Sequence, residues 1–177
     1  EGRYDIKWVE QLPDLVTDTG KTFDRQPWVV CFGSKDKRLD FAMIVAHVTW
    51  GDLTQPRIAE IKTLGKYYSQ VFLKEQDVLV VGDFNRDVGD PPSLGWLQDS
   101  LGLLDTTSPG LPTHVSSTST YDHILYHPDH TTEYTGRHGV VLFDETHFGN
   151  DDTKAKMVGS DHRPVWIELR IPSKDDD

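Results

Sequence analysis

The sequence is poor in cysteine and in long apolar runs. Its single cysteine, Cys31, excludes a disulfide within the 177 residues, and its position in the apolar run 28–32 predicts a buried structural thiol. No apolar run approaches the roughly 20 residues of a membrane-spanning helix, and no basic start followed by an apolar stretch resembles a signal peptide. We therefore expect no membrane segment, while cysteine usage leaves the compartment open.

Basic residues are also scarce. The chain holds 18 Lys and Arg against 29 Asp and Glu, which gives a net charge of −11 at pH 7. A field of this sign repels nucleic acid and anionic membranes. A polyanionic partner therefore requires a local cationic feature or a bound metal ion.

Several common catalytic motifs are absent as well. The sequence contains no HExxH or CxxC pair, no GxSxG elbow, and neither a Walker loop nor a GxGxxG fingerprint. These absences argue against several common enzyme classes, among them zinc proteases and P-loop nucleotide-binding proteins. Because no repeat or linker interrupts the pattern, we expect one domain over residues 1–172, followed by an acidic tail over 173–177.

What the sequence does contain is a succession of strand and helix patterns. The β-branched and aromatic runs at 28–32 and 41–48 flank a polar turn and predict an antiparallel hairpin. Apolar residues at three- and four-residue steps predict a helix from Gln55 to about Leu73, which crosses to a doubly buried strand at 77–81. The later patterns predict a helix at 94–101, a loop to Thr120, and strands at 121–126, 139–143 and 162–171. The expected class is α/β (α+β) and rich in strands.

Polar groups that suit metal-assisted chemistry stand at the ends of three of these strands. Asp83 and Asn85 follow the most buried strand, Asp122 opens another, and Asp161 and His162 open the last. Taken alone, each pair is explained by turn and cap roles. Together, carboxylate and amide oxygens suit a hard cation such as Mg²⁺, and an imidazole can activate water. The set therefore predicts metal-assisted phosphoester cleavage.

The ordered set of motifs resembles the endonuclease/exonuclease/phosphatase superfamily, and most closely its DNase I-like branch. The segments that carry the resemblance are FDRQP at 23–27, FAMIVAH at 41–47, GDFN at 82–85, YDHI at 121–124 and SDHRPV at 160–165. They occur in order along almost the whole chain. The resemblance implies a DNase I-like four-layer sandwich of two β-sheets flanked by helices, and a divalent-metal-dependent phosphodiester hydrolase with DNA as its first-choice substrate.

The resemblance also assigns roles to the histidines. His162 would be the general base that activates water, and Asp122 would hold its imidazole in the useful tautomer. His47 would be the second histidine, which stabilises charge on the phosphate in the transition state. His123 points to the opposite face of its strand from Asp122 and is expected to be structural. The remaining histidines are expected at the surface: His114, His127, His130, His138 and His147.

The metal and phosphate ligands follow from the same resemblance. Asp83 and Asn85 resemble the pair that holds the metal or the scissile phosphate, and Asp161 resembles the metal-binding aspartate beside the catalytic histidine. Arg25 matches an arginine that points toward the phosphodiester, a contact that suits a guanidinium. The implied cofactor is Mg²⁺, with Mn²⁺ and Ca²⁺ as alternatives.

The chain departs from the family at its start. Members begin with a strand that carries an Asn and a second strand that ends in Gln-Glu, whose glutamate binds the metal, and neither motif occurs here. We therefore expect the chain to correspond to the C-terminal two-thirds of the family fold, truncated at the N-terminus, with exposed strand edges that favour association. Glu1 and Glu10 are the candidate partners of His47 near the start.

Two other functions stay open at this point. A phosphatase or phospholipase-type member, acting on inositol phosphates or sphingomyelin-like phosphoesters, shares the segment at 160–165, and the stretch at 87–120 would then decide substrate choice. A non-catalytic relic would explain the missing metal-ligand glutamate. It would leave the retention of the other acids and histidines unexplained.

Overall fold

The computed structural model describes residues 3–14, 16–17, 20–107 and 110–174. Within these ranges the strands are β1 (Tyr4–Gln11), β2 (Val16–Thr17), β3 (Gly20–Lys21), β4 (Trp28–Ser34), β5 (Asp40–His47), β6 (Val78–Asp83), β7 (Leu104–Asp105), β8 (Asp122–Tyr126), β9 (Tyr134–Val140) and β10 (Val165–Leu169). The helices are α1 (Thr54–Val71), α2 (Leu94–Leu101), α3 (Phe143–Phe148) and α4 (Asp152–Val158). None of these four helices combines the length and the apolar character needed to cross a membrane.

The predicted hairpin and crossover helix form the centre of the fold. β4 pairs antiparallel with β5, and the register sets Val29 opposite Ile44, both fully buried. α1 then returns the chain so that β6 pairs parallel to β5. Ile61 and Leu64 on the buried side of α1 belong to the same core cluster as these strands. The structure thus confirms the hairpin, the helix and the buried strand within a few residues of their predicted bounds.

The strands form two sheets that pack against each other, with β2 and β3 as a separate short ribbon. The larger sheet has the order β1-β4-β5-β6-β8-β7, and β9 pairs with β10 in the smaller one. Side chains of the smaller sheet pack on one face of the larger: Val165, Ile167 and Leu169 lie against Leu79, Val81 and Ile124. α1 and α2 cover the core on the other side. Two sheets flanked by helices confirm the expected α/β sandwich class.

Parts of the fold differ from the sequence-based expectations. β9 lies at Tyr134–Val140 rather than 139–143, because residues 143–148 form α3. β10 begins only at Val165, since Pro164 before it has no N–H for a strand ladder. β1 was not predicted: Tyr4, Ile6 and Trp8 alternate with polar residues, but nearly all residues of this edge strand are exposed, so the alternation marks no buried face. α3 and α4 were missed because six and seven residues are too few to show a helical period.

Candidate active site

Three neighbouring strands of the larger sheet bring acidic and basic residues together at one edge. β5 and β6 run parallel and both end there, so the register sets His47 beside Asp83. β8 begins at the same edge and sets Asp122 on the other side of Asp83. The row of His47, Asp83 and Asp122 is therefore a direct consequence of strand pairing.

Gly82 allows the backbone to pass closely at this edge. Its φ of 137° is an angle that residues with a side chain rarely adopt, and a Cβ built on it would lie 1.8 Å from the carbonyl oxygen of Ala46. Only glycine fits such a position. The glycine of the Gly82-Asp83 pair thus serves the contact between β5 and β6, one residue before the acid.

His162 joins this row from the loop before β10. Its Nδ1 lies 2.8 Å from Oδ2 of Asp122, at hydrogen-bond distance, and its Nε2 lies 3.9 Å from Oδ2 of Asp83. Burial of the imidazole lowers the pKa of His162, but the hydrogen bond and charge of Asp122 and the charges of Asp83 and Asp161 outweigh it. The pKa of His162 is therefore raised above its ordinary value, and its ring orientation is fixed.

Backbone hydrogen bonds hold the segment around His162 in place. The N–H of Val115 donates to the carbonyl of Asp161 at 2.8 Å, and the N–H of Arg163 donates to the carbonyl of Thr113 at 2.6 Å. The segment at 113–115 thus runs beside the segment at 161–163, and it brings a further histidine, His114, next to His162.

His114 is the residue of the site that sequence reasoning missed. It was expected at the surface, yet its ring lies edge-on to that of His162 with centroids 5.4 Å apart. Its Nδ1 is buried and has no hydrogen-bond partner among the described residues. No local signal marks His114, because its place depends on a pairing with residues almost 50 positions later in the chain.

Asp83 and Asn85 form a compact turn after β6. The N–H of Asn85 donates to Oδ1 of Asp83 at 2.8 Å, and its Nδ2 donates to the carbonyl of Val48 at 2.8 Å. Asn85 has a φ of 50°, a left-handed conformation that asparagine tolerates better than most residues. Burial raises the pKa of Asp83, and although the bond from Asn85 lowers it, the negative charge of Asp122 adds to the net rise.

His47 is the more exposed of the two predicted catalytic histidines. About half of its side chain, 53%, is accessible, and its Nε2 lies 3.5 Å from Oδ2 of Asp83. Of its candidate partners, Glu10 pairs with Lys74 at 3.2 Å, and Glu1 lies outside the described residues. Asp83 is therefore the acid that the structure sets beside His47.

Arg25 lies in a loop that a buried acid, Glu60, connects to the loop after β5. Its half-exposed guanidinium lies 3.5 Å from Asp24. The carboxylate of Glu60, buried on α1, accepts from the N–H of Asp24 at 3.0 Å and from the N–H of Thr49 at 2.9 Å. Because Thr49 follows His47 by two residues, Glu60 ties the loop of Arg25 to the loop after β5. Sequence reasoning gave no signal for Glu60.

His123 is structural, as predicted. It is fully buried, with Nδ1 at 2.7 Å from Oδ2 of Asp105 and Nε2 at 2.8 Å from the carbonyl of Arg86. Burial lowers the pKa of His123, but the hydrogen bond and charge of Asp105 outweigh it and raise the pKa overall. Both ring nitrogens face acceptors, an arrangement that suits the doubly protonated ring.

These groups line an open cavity of about 490 Å³ at the edge of the sheet. Its lining residues are His47, Trp50, Asp83, Asn85, His114, Tyr121, Asp122, Ser160, Asp161 and His162. The structure thus gathers every predicted site residue except Arg25, which is not among the described residues that line the cavity.

The donor set of the cavity fits a divalent cation. Asp83, Asn85 and Asp161 offer the oxygen ligands that Mg²⁺ and Ca²⁺ prefer. Ligand atoms of His114, Asp161 and His162 also lie within 4.8 Å of one another, and imidazole donors extend the choice toward Zn²⁺. Asp83 does not belong to the group formed by His114, Asp161 and His162.

Comparisons with known proteins agree with this geometry. A family model described as the Endonuclease/Exonuclease/phosphatase family matches residues 3–162. A deoxyribonuclease of Thioalkalivibrio sp. (strain K90mix) is 28% identical over 184 residues, which cover 93% of this chain and 50% of that protein. Deoxyribonuclease-1 of Bos taurus is 29% identical over 157 residues, which cover 84% of this chain and 54% of that protein. The chain spans about half the length of these curated relatives.

Solved structures share the fold at low sequence identity. A mannosyl-6-phosphatase of Bacteroides thetaiotaomicron superposes with a TM-score of 0.62 at 15% identity, covering 94% of this chain and 67% of that one. The human Nocturnin catalytic domain gives a TM-score of 0.59 at 16% identity, covering 93% of this chain and 60% of that one. At these identities the likeness describes the architecture alone.

Proposed function

The chain belongs to the endonuclease/exonuclease/phosphatase family, and we propose that it hydrolyses phosphodiesters with the help of a divalent cation and that DNA is its substrate. The observation that carries the proposal is the contact of His162 with Asp122 at 2.8 Å, set beside Asp83 in a cavity lined by oxygen donors. The matched relatives named deoxyribonucleases support DNA as the substrate.

His162 is the base in this proposal. Its Nδ1–H donates to Asp122, which leaves Nε2 free to accept the proton of an attacking water. The raised pKa of His162 strengthens Nε2 as a base. Asp122 therefore fixes both the tautomer and the direction of the ring.

His47 and Asn85 face the phosphate in the proposed complex. His47 lies at the open side of the cavity, where its imidazole can donate a hydrogen bond to a phosphate oxygen as negative charge develops. The amide of Asn85 is held by its bond to Val48, so its orientation is set before the substrate binds. Asp83 and Asp161 would hold the divalent cation, which neutralises charge on the phosphate oxygens when bound.

Trp50 and Arg25 favour a polynucleotide over a small phosphoester. Trp50 lines the cavity and its side chain is among the most exposed of the large apolar residues, at 76%, so it can stack on a base. The guanidinium of Arg25 is half exposed on the loop tied beside the site. Both groups extend the binding surface beyond the space that one phosphate needs.

Nicking of supercoiled plasmid tests this proposal. We expect the 177-residue chain to nick plasmid in Mg²⁺ or Mn²⁺ and to lose that activity in EDTA and in an Asp161→Asn variant. Asp129→Asn removes one carboxylate from an exposed loop and serves as the matched control. A folded chain that leaves plasmid intact but releases phosphate from inositol phosphates would overturn the DNA assignment. Nicking that persists in EDTA would overturn the metal requirement.

A further inference from the structure

A second cavity adjoins the candidate active site on the side of Asn85. It has a volume of about 310 Å³ and shares Asn85 and Tyr121 with the first cavity. Two arginines stand in its wall, Arg57 from the first turn of α1 and Arg86 from the loop after β6. We call this space the arginine pocket. Two aspartates line it as well, so the formal charges of its wall balance.

Arg57 carries a buried charge that the described part of the chain does not neutralise. The residue is only 9% exposed, and its Nη1 donates to the carbonyl of Gly51. Its Nε is buried without a hydrogen-bond partner, and no carboxylate of the described residues lies within 4.0 Å of the guanidinium. A buried cation without a counter-ion costs free energy, which an anion entering the pocket would recover.

The acids in the wall of the pocket are already engaged elsewhere. Asp90 pairs with the guanidinium of Arg86 and also accepts from the hydroxyl of Ser93. Asp87 accepts from the N–H of Thr120 at 2.8 Å. These contacts orient Arg86 and leave the charge of Arg57 available to a ligand.

We propose that the arginine pocket binds a second phosphate of the substrate, the one next to the scissile phosphate on the same nucleic-acid strand. This inference rests on the proposed function and specifies its substrate class. Because both cavities share Asn85 and Tyr121, a strand that places one phosphate at His162 can continue into the pocket. The planar fork of a guanidinium suits a phosphate group. A phosphodiester without a neighbouring phosphate cannot use this contact.

Two substrates measured on one variant test the inference. Arg57→Gln removes the charge and keeps a similar length, and its kcat/KM is compared on a short oligonucleotide and on bis(p-nitrophenyl) phosphate. We expect the ratio of oligonucleotide to small-diester kcat/KM to fall by about tenfold or more, the usual worth of a charge-assisted contact. The slope of log kcat/KM for the oligonucleotide against log salt should become shallower by about one.

Two control variants separate this role from charge and folding effects. Arg137→Gln removes the same charge from an exposed residue of β9 that pairs with Glu168, and the ratio should stay that of the wild type. Arg57→Lys keeps the charge but lacks the planar fork of the guanidinium. Its ratio of oligonucleotide to small-diester kcat/KM should lie between those of the wild type and Arg57→Gln. Thermal unfolding of each variant shows that the comparison is made on folded protein.

Several outcomes would overturn the inference. If Arg57→Gln loses kcat/KM equally on both substrates, Arg57 has a structural role. If it loses kcat/KM on neither substrate, the second phosphate binds elsewhere. With an inositol polyphosphate as a third substrate, a loss confined to that compound would contradict the assignment to a nucleic-acid strand. If the wild type hydrolyses neither substrate, the proposed function fails by itself. In that case fluorescence anisotropy of oligonucleotide binding tests the arginine pocket. Equal affinities of wild type and Arg57→Gln would contradict binding of a second phosphate there.

Discussion

Replacing Asp144 with alanine is expected to destabilise the fold far more than breaking an ion pair at the surface. Asp144, on α3, is 1% exposed, and Arg163, the residue after His162, is 9% exposed. The guanidinium of Arg163 donates to both carboxylate oxygens of Asp144, with Nε at 2.9 Å from Oδ1, and also to the carbonyl of Pro112 at 3.1 Å. The pair therefore joins α3, the segment before His114 and the segment of His162.

The magnitude follows from burial. Removing one partner of a buried pair costs about 3–5 kcal/mol, whereas an exposed pair contributes about 0–1 kcal/mol. Glu145 lies 3.9 Å from Nη2 of Arg163 and would compensate part of the charge, which sets the expected loss at the lower end. The matched control is Glu168→Ala, since Glu168 pairs with Arg137 at 2.8 Å and the two side chains are 41% and 70% exposed. Urea unfolding measures both losses. Asp144→Asn, which keeps one acceptor, gives a milder second variant if Asp144→Ala does not fold.

The same pair predicts a pH dependence of stability. The hydrogen bond and charge of Arg163 hold the pKa of Asp144 below its usual value. A depressed carboxyl pKa adds stability that is present above the unfolded value of about 3.9 and is lost as the pH falls through the lower, folded value. The difference in free energy of unfolding between wild type and Asp144→Asn should therefore become smaller below about pH 4. Equal costs of Asp144→Ala and Glu168→Ala, or a gap that does not narrow, would refute the reasoning.

Three further changes test the site. Asp122→Asn should lower kcat by about 10²–10⁴-fold, because the amide carries no charge and its NH₂ group can hold the other tautomer of His162; a near-normal kcat in a steady-state assay would exclude that role. Gly82→Ala should lower the free energy of unfolding by at least about 2 kcal/mol, since its methyl group would meet the Ala46 carbonyl at 1.8 Å; an unchanged urea midpoint would speak against it. Calorimetric titration of His114→Ala with Mn²⁺ should show weaker binding than the wild type, because His114 offers a ligand atom within 4.8 Å of Asp161; equal binding would remove His114 from the metal site.

The central strands were predictable because their signals are local, and the candidate site residues were predicted because the ordered motifs resemble those of a known family. The apolar runs around Val29 and Ile44 and the helical spacing of Ile61 and Leu64 describe buried faces, and the structure buries them. Asp83 and Asp122 meet because β6 ends at the edge where its antiparallel neighbour β8 begins. Hydrophobic patterns within single short segments were therefore enough to predict the central strands and α1.

The parts that were missed depend on contacts between distant segments. β1 pairs with β4 as an edge strand, and its residues stay almost all exposed although Tyr4, Ile6 and Trp8 alternate with polar residues. His114 and Glu60 take their roles from partners far along the chain, and nothing beside them in the sequence marks those partners. The charge of Arg57 stands out only once its burial and the lack of a nearby carboxylate among the described residues are known.

The most direct test of the account is the rate of bis(p-nitrophenyl) phosphate hydrolysis by wild type and His162→Ala in Mg²⁺ or Mn²⁺. This small diester depends on the catalytic groups and not on the arginine pocket. His147→Ala, at an exposed position of α3, is the matched control. The account predicts that His162→Ala loses about 10²–10⁴-fold in kcat, while His147→Ala keeps the wild-type rate and both variants unfold at the wild-type temperature. A folded His162→Ala protein that hydrolyses the diester as fast as the wild type would contradict the account.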